Sequence, residues 1–291
     1  MKVLITGGGG QLGRALTALA PSGIVVRALT RAQLDVANQS AVETMLREFS
    51  PDALINAAGF TRVDDAEREP ESAQRANATG PAVLAAACRN SGAWLVQVST
   101  DYVFDGEQGR PYRPNAPTNP LSVYGSTKLQ GEQAVARELP AGSTVVRTSW
   151  LYSADGRNFC TTMLRLMRER PQLTVVSDQF GAPTSVTGLA RVLWAFSGSR
   201  APGLYHWCDS GVASWYDFAV AIAEEAVALG ILSSSPQVAP IQSADYPTAA
   251  RRPPFSLLDK SDTERLLGTV APHWRRALRE TLATLASGAS Q

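Results

Sequence analysis

Residues 3–13 are Val3-Leu4-Ile5-Thr6-Gly7-Gly8-Gly9-Gly10-Gln11-Leu12-Gly13, a short apolar run that ends in a glycine-rich loop. The apolar run predicts a buried β-strand, and a helix is expected directly after the loop. Gly7, Gly10 and Gly13 have the spacing G-x-x-G-x-x-G. Glycine permits a tight turn and lets the backbone approach a pyrophosphate. A glycine loop alone could be a plain turn, but its place between strand and helix favours a dinucleotide-binding unit.

Strand and helix patterns continue to alternate through the first half of the chain. Strands are predicted at residues 3–6, 24–29, 53–56, 94–99 and 144–147, and helices at 11–20, 40–49, 70–90 and 123–139. This alternation predicts an α/β fold with a doubly wound, Rossmann-type parallel sheet. Ligands of such sheets bind at the carboxyl ends of the strands.

The second half has a looser pattern that predicts a smaller, interleaved α/β lobe. Helices are predicted at residues 158–170, 186–196 and 215–229 and around 262–267 and 273–285, strands at 173–176 and 204–207, and a loop at 230–240. We expect residues 1–150 to form the cofactor-binding domain, with segments around 158–176 and 186–207 returning to it. Residues 151–291 are expected to be largely a substrate-binding lobe.

Composition excludes several classes of function. The 291 residues carry a formal net charge of +1 and have no long charge run, which argues against non-specific nucleic-acid binding. No apolar run reaches the roughly 20 residues that span a bilayer, and no signal peptide is recognised. Three cysteines without C-x-x-C spacing indicate reduced thiols in a cytoplasmic protein rather than a disulfide or zinc framework.

The end of the second predicted strand bears on the choice of cofactor. The acidic residue that usually binds a ribose 2′-hydroxyl is missing there, and Thr30 and Arg31 would suit a 2′-phosphate. We therefore expect NADPH, with NADH possible; the alternative is that Arg31 is a solvated surface residue. The residues expected to contact the cofactor are Gly7, Gly10, Gln11, Leu12, Gly13, Thr30, Arg31, Asp35, Val36, Ala57, Ala58, Gly59, Ser99, Tyr124 and Lys128.

Tyr124 and Lys128 form a candidate acid–base pair. Residues four apart on a helix lie on one face, about 5–6 Å apart at Cβ. A cation beside a phenol favours the phenolate, so Lys128 is expected to lower the pKa of Tyr124. Thr100, at the end of the fourth predicted strand, could donate a hydrogen bond to a substrate carbonyl. The plainer alternatives are an exposed helix face for the pair and a capping role for Thr100.

With the glycine loop, a hydroxyl at a strand end and Tyr-x-x-x-Lys in this order, the chain resembles the extended short-chain dehydrogenase/reductase family, and within it the branch of dTDP-4-dehydrorhamnose reductases. The more specific shared blocks are Asn56-Ala57-Ala58, Val63-Asp64-Asp65-Ala66-Glu67, Ser99-Thr100-Asp101-Tyr102-Val103-Phe104-Asp105-Gly106, Arg147-Thr148-Ser149-Trp150, Asp178-Gln179-Phe180-Gly181-Ala182-Pro183-Thr184, Tyr246-Pro247-Thr248 and Arg251-Arg252-Pro253.

The resemblance implies reduction of the C4 ketone of dTDP-4-dehydro-β-L-rhamnose to dTDP-β-L-rhamnose. It implies that Tyr124 donates the proton, that Lys128 also binds the nicotinamide ribose, and that Thr100 polarises the carbonyl. Two other readings stay open: a sugar-nucleotide epimerase or dehydratase, and a non-catalytic regulatory subunit on the same fold. The implied contacts to the dTDP-sugar are Thr61, Thr100, Asp101, Trp150, Gln179, Arg251 and Arg252. Trp150 could instead be ordinary core, and either arginine a surface charge.

Some members of that family are dimers linked by a magnesium ion on acidic side chains. One such glutamate would stand on the first helix at the position of Ala15, and alanine cannot bind a metal. We therefore expect no metal site, turnover without Mg²⁺, and a monomer or weak homodimer.

Overall fold

The structure is a computed structural model, and it describes residues 1–288. The strands are β1 (Lys2–Thr6), β2 (Val25–Leu29), β3 (Ala53–Asn56), β4 (Trp94–Thr100), β5 (Ser143–Thr148), β6 (Leu151–Tyr152), β7 (Gln172–Val176), β8 (Phe180–Gly181), β9 (Thr184–Ser185), β10 (Gly203–His206), β11 (Ala213–Ser214) and β12 (Gln237–Ile241).

The α-helices are α1 (Gln11–Ala18), α2 (Gln39–Phe49), α3 (Val63–Arg68), α4 (Pro70–Gln74), α5 (Gly80–Ser91), α6 (Val123–Glu138), α7 (Phe159–Glu169), α8 (Val186–Ser199), α9 (Trp215–Ala228), α10 (Ser261–Leu267) and α11 (Trp274–Gly288). A π-helical turn, Arg75–Thr79, joins α4 to α5. No helix among the described residues is long and apolar enough to cross a membrane.

Six parallel strands form the central sheet, in the order β10-β5-β4-β3-β1-β2. Successive side chains of a strand point to opposite faces. Val3 and Ile5 therefore pack on one face with α1 and α8, whereas Leu4 packs on the other with α2 and α5. The sheet is covered on both faces, and the predicted doubly wound α/β fold is confirmed.

A second cluster of buried residues forms the smaller lobe. It combines α7, α9 and α11 with the parallel pair β7 and β12. Residues 158–176 lie in this cluster, so the expectation that they return to the first domain is wrong; the apolar face of α7 packs on α9 instead. Residues 186–207 do supply α8 and the edge strand β10 to the central sheet.

Helix α6, which carries Tyr124, lies tightly against the sheet. Its N-cap Ser122 accepts a hydrogen bond from the Gly125 N–H at 3.1 Å. A Cβ on Gly125 would overlap the carbonyl of Tyr102, so glycine is needed for this approach. Arg147 on β5 forms a buried, two-pronged ion pair with Glu132 at 2.9 and 2.6 Å. These contacts hold the start of α6 beside the carboxyl end of β4.

Candidate active site

One cavity of about 650 Å³ lies at the carboxyl ends of the central strands. The glycine loop lines one end of it, with Gly7, Gly10 and Gln11. Tyr124 and Thr100 line the other end. The glycine loop and Thr100 lie in one cavity because β1 and β4 are both parallel to β3 and end at the same edge of the sheet.

The glycine loop has the shape that a dinucleotide requires. Gly7 has φ +71°, and a Cβ there would lie 2.6 Å from the Ala57 backbone. A Cβ on Gly13 would overlap the Gly7 carbonyl, so Gly13 supports the loop from behind rather than lining the cavity. Helix α1 begins at Gln11, and no acidic residue lies in its first turn. Its free N–H groups and positive dipole end are therefore available to a diphosphate.

Two buried hydroxyls on the cavity wall lack partners. Within residues 1–288, neither Ser99 Oγ nor Thr148 Oγ1 has a hydrogen-bond partner. Buried polar atoms are normally satisfied. Their position on the same cavity wall as the glycine loop and Tyr124 fits a polar ligand such as the nicotinamide half of a dinucleotide.

The other side of the glycine loop carries a cluster of charges. Arg31, Asp35 and Arg75 all line the cavity, and Arg75 pairs with Asp35 at 2.7 Å. The hydrogen bond from Arg75 lowers the pKa of Asp35. Thr30 is exposed and does not line the cavity; its hydroxyl donates to Gln33 Oε1 at 3.0 Å. A ribose phosphate at this end would meet two guanidinium groups.

Lys128 is buried and Tyr124 is half-buried, and loss of solvation shifts the pKa of each. Burial raises the pKa of Tyr124 to about 12, opposed by a hydrogen bond with Thr100. Burial lowers the pKa of Lys128 to about 8. The Lys128 ammonium donates to the Val98 carbonyl oxygen at 2.6 Å. Lys128 is not among the groups that shift the pKa of Tyr124, and that pKa rises because desolvation dominates, contrary to the expectation that Lys128 lowers it.

Thr100 and Asp101 stand beside the tyrosine on the cavity wall. The Thr100 hydroxyl donates to Asp101 Oδ1 at 3.0 Å and accepts from the Tyr102 N–H at 3.2 Å. Thr100 thus caps the short turn after β4 and also faces the site. Ser256 donates to Asp101 Oδ2 at 2.5 Å, and burial raises the pKa of Asp101 to about 6.

A stack of aromatic rings closes the far end of the cavity. The Trp150 and Trp215 rings are parallel, with centroids 3.5 Å apart, and both line the cavity. The Phe159 ring also packs on Trp215, with the ring centroids 4.7 Å apart. Trp150 has φ +46°, an uncommon conformation for a bulky side chain that persists only when its surroundings enforce it.

The sequence matches the family described as the RmlD substrate binding domain over residues 1–287. The dTDP-4-dehydrorhamnose reductase of Aggregatibacter actinomycetemcomitans is 41% identical over 286 residues, which cover 96% of this chain and 97% of that protein. The chain belongs to the dTDP-4-dehydrorhamnose reductase family.

Solved structures of this reductase family superpose on the chain. A dTDP-4-dehydrorhamnose reductase from Clostridium acetobutylicum gives a TM-score of 0.92 at 39% identity, over 98% of this chain and 99% of its own. The dTDP-4-dehydrorhamnose reductase from Bacillus anthracis, solved in complex with NADP, gives 0.92 at 35% identity, over 97% and 99%.

In this family member, several residues that were expected to contact the dTDP-sugar do not line the cavity. Gln179 does not line the cavity; its Oε1 accepts a hydrogen bond from Nε1 of the wall residue Trp215 at 3.2 Å. Arg252 forms a two-pronged pair with Asp64 at 3.2 and 2.7 Å. Arg251 is exposed and is also absent from the wall, whereas Thr61 lines it.

Other wall residues of the family member were not predicted. They include Trp215, Arg75, Arg157 and Asn158. None of them follows a strand of the central sheet or belongs to the glycine loop, the two places where the sequence predicts binding residues. Trp215, at the start of the largely apolar helix α9, carries no local mark of a binding residue. Within residues 1–288 there is also no group of three or more His, Cys, Asp or Glu residues placed to hold a metal.

Proposed function

We propose that the protein reduces the C4 ketone of dTDP-4-dehydro-β-L-rhamnose to dTDP-β-L-rhamnose with NADPH. The observation that carries this proposal is the single cavity that joins the glycine loop to Tyr124, Lys128 and Thr100. The Aggregatibacter relative that carries this reductase name supports the substrate. The Bacillus anthracis structure in complex with NADP supports the cofactor.

Tyr124 is the proposed proton donor. When bound, NADPH supplies a hydride to the ketone carbon, and the ketone oxygen then needs a proton. A phenol whose pKa is raised to about 12 is protonated at neutral pH, which is the form that a donor must have. The growing negative charge on the oxygen strengthens the hydrogen bond that it accepts from Tyr124. Thr100 donates a second one when its hydroxyl turns from Asp101 to the substrate oxygen.

Lys128 is proposed to bind the nicotinamide ribose of the cofactor. Its pKa of about 8 leaves it mostly charged at neutral pH. The ammonium has three N–H donors, and the Val98 carbonyl takes one. Within residues 1–288 the other two have no hydrogen-bond partner, so they are available to a ribose hydroxyl of the cofactor.

Arg31 and Arg75 support NADPH as the preferred cofactor. Both line the cavity where the adenosine ribose is expected, and guanidinium groups suit phosphate oxygens. Asp35 is already paired with Arg75. We also propose turnover without Mg²⁺, because Ala15 offers no ligand on α1. The buried, free thiols of Cys88, Cys160 and Cys208 support a cytoplasmic location.

The test is to add NADPH and the 4-keto sugar nucleotide to the purified protein and follow NADPH absorbance. We expect NADPH to be consumed in equal amount to a dTDP-sugar two hydrogens heavier, with and without a chelator. A sugar product formed without net NADPH consumption would indicate an epimerase. Cofactor binding without any sugar product would indicate a regulatory subunit. Activity lost with chelator and restored by Mg²⁺ would refute metal independence alone.

A further inference from the structure

The loop at residues 153–158, which joins β6 to α7, lies across the glycine loop. Ser153 Oγ donates to Gln11 Oε1 at 3.0 Å, and Gln11 Nε2 donates to the Leu151 carbonyl at 3.4 Å. On the other side, Arg14 pairs with Asp155 at 2.7 Å and donates to the Gly9 carbonyl at 2.6 Å. The 153–158 loop is thus fastened to both sides of the cofactor-binding turn.

Arg157 follows these two attachments in the same loop. It is exposed and lines the cavity together with Gly9 and Gly10. Over residues 1–288, its guanidinium has neither a hydrogen bond nor an ion pair. The other cations near the cavity are engaged: Arg75 pairs with Asp35, Arg62 pairs with Asp65, and Lys128 binds the Val98 carbonyl. Arg31 lies close enough to Asp35 to lower the pKa of that carboxyl.

We propose that Arg157 binds the diphosphate of the cofactor and that the 153–158 loop clamps it against the glycine loop. This inference rests on the proposed function. The glycine loop offers backbone N–H groups but no cation, and the net charge of +1 provides no broad attractive field. A diphosphate carries two negative charges, which a guanidinium can meet with paired hydrogen bonds. Arg157 supplies the missing local charge.

The clamp also links the two binding events. The 153–158 loop follows Trp150, which lines the sugar end of the cavity, and leads into the N-cap of α7 at Asn158. Helix α7 belongs to the second lobe. A cofactor that draws Arg157 inward therefore orders the segment between the cofactor turn and the substrate lobe.

The sugar nucleotide also carries a diphosphate, so the same chemistry has two sources. The position of the loop favours the cofactor, because both of its attachments are to residues 9–14. The test compares Arg157→Gln with wild type by calorimetric titration of three ligands separately: NADPH, NADH and dTDP. Arg168→Gln, an exposed arginine on α7 away from the cavity, is the matched control.

We expect Arg157→Gln to weaken the binding of NADPH and of NADH alike, by about five- to fiftyfold, and to leave dTDP binding unchanged. The salt dependence of NADPH binding should become shallower, and Arg157→Lys should restore part of the affinity. Arg168→Gln should behave as wild type. Unchanged NADPH affinity in Arg157→Gln would overturn the inference. A loss of affinity for dTDP alone, or for NADPH but not NADH, would also overturn it. If wild type itself fails to bind NADPH, the proposed function fails instead.

Discussion

Burial shifts the pKa of Tyr124 more than its neighbours do. Both the phenol and the Lys128 ammonium lose solvation, and their pKa values move toward the neutral forms. The upward shift of the Tyr124 pKa suits reduction, in which the phenol must begin protonated. It would suit the reverse oxidation less well, because that direction needs the phenolate.

The Tyr124→Phe variant tests the proton donor. Phenylalanine keeps the ring and its edge contact with Tyr102 but removes the hydroxyl. We expect kcat to fall by at least ~10²-fold, the usual contribution of a positioned proton donor. The affinity for NADPH should be nearly unchanged in the same titrations. Near-normal kcat would show that another group delivers the proton.

Arg31 is expected to govern the choice between NADPH and NADH. In Arg31→Gln, the ratio of kcat/KM for NADPH to that for NADH should fall by about tenfold or more, because a charge-assisted contact to the 2′-phosphate is lost. Arg27→Gln, on the preceding strand and away from the cavity, is the control. A wild-type preference for NADH would rule out this role from the start.

At the level of elements, the aromatic stack joins two parts of the chain that are far apart in sequence. Trp150 follows β5, and Trp215 is the first residue of α9. Gly181 lies on the other face of Trp150, where a Cβ would come within 2.7 Å of the ring. Trp150 is therefore held between Gly181 and Trp215, which supports its unusual backbone angle.

Replacing Trp215 should disturb the sugar end of the cavity without affecting the cofactor. We expect Trp215→Ala to raise KM for the sugar nucleotide by about tenfold, because Trp150 loses its stacking partner. The Kd for NADPH should stay within about twofold, since the change is remote from the glycine loop. Trp215→Phe should recover most of the loss. Equal weakening of both ligands in the alanine variant would point to general unfolding, which a melting curve would detect.

Across the whole molecule, Asp209 is a buried acid at the junction of the two lobes. One oxygen accepts the Ser185 N–H at 3.0 Å, and the other has no partner within residues 1–288. Burial raises the pKa of Asp209 to about 7, while Lys260 opposes the shift and Glu280 adds to it. A raised pKa means that this carboxyl favours folding at low pH and loses that contribution as the pH rises through about 7.

Asp209→Asn should therefore gain relative stability as the pH rises. We expect the Tm of the variant minus that of wild type to increase by on the order of 5 °C between pH 5 and pH 8.5. The trend is informative, since the amide itself can add a constant offset. Asp262→Asn, an exposed partner of Arg265, should show no such trend. A pH-independent difference for Asp209→Asn would contradict a charged, buried carboxylate at high pH.

Much of the central sheet could be predicted because its signals are local. The strands at residues 3–6, 53–56 and 94–99 are short, mostly apolar runs, as expected for a parallel sheet that helices cover on both faces. The predicted helix ends also lie close to the observed ones, although the helix predicted at residues 70–90 is interrupted by the π-helical turn Arg75–Thr79. Strand β12 lies within the predicted loop at 230–240 and beyond it, because its pairing partner β7 is remote in sequence.

The amino-acid sequence alone was sufficient to predict the glycine loop, the doubly wound sheet and the placement of Thr100, Tyr124 and Lys128 at one cavity. These depend on spacing within one segment and on periodicity. The three-dimensional arrangement was needed to assign residues 158–176 to the second lobe, to bring Trp215 and Arg157 to the cavity, and to show that the pKa of Tyr124 rises. The physical reason is that burial and the convergence of distant segments depend on the packing of the whole chain, and neither is present in any local stretch.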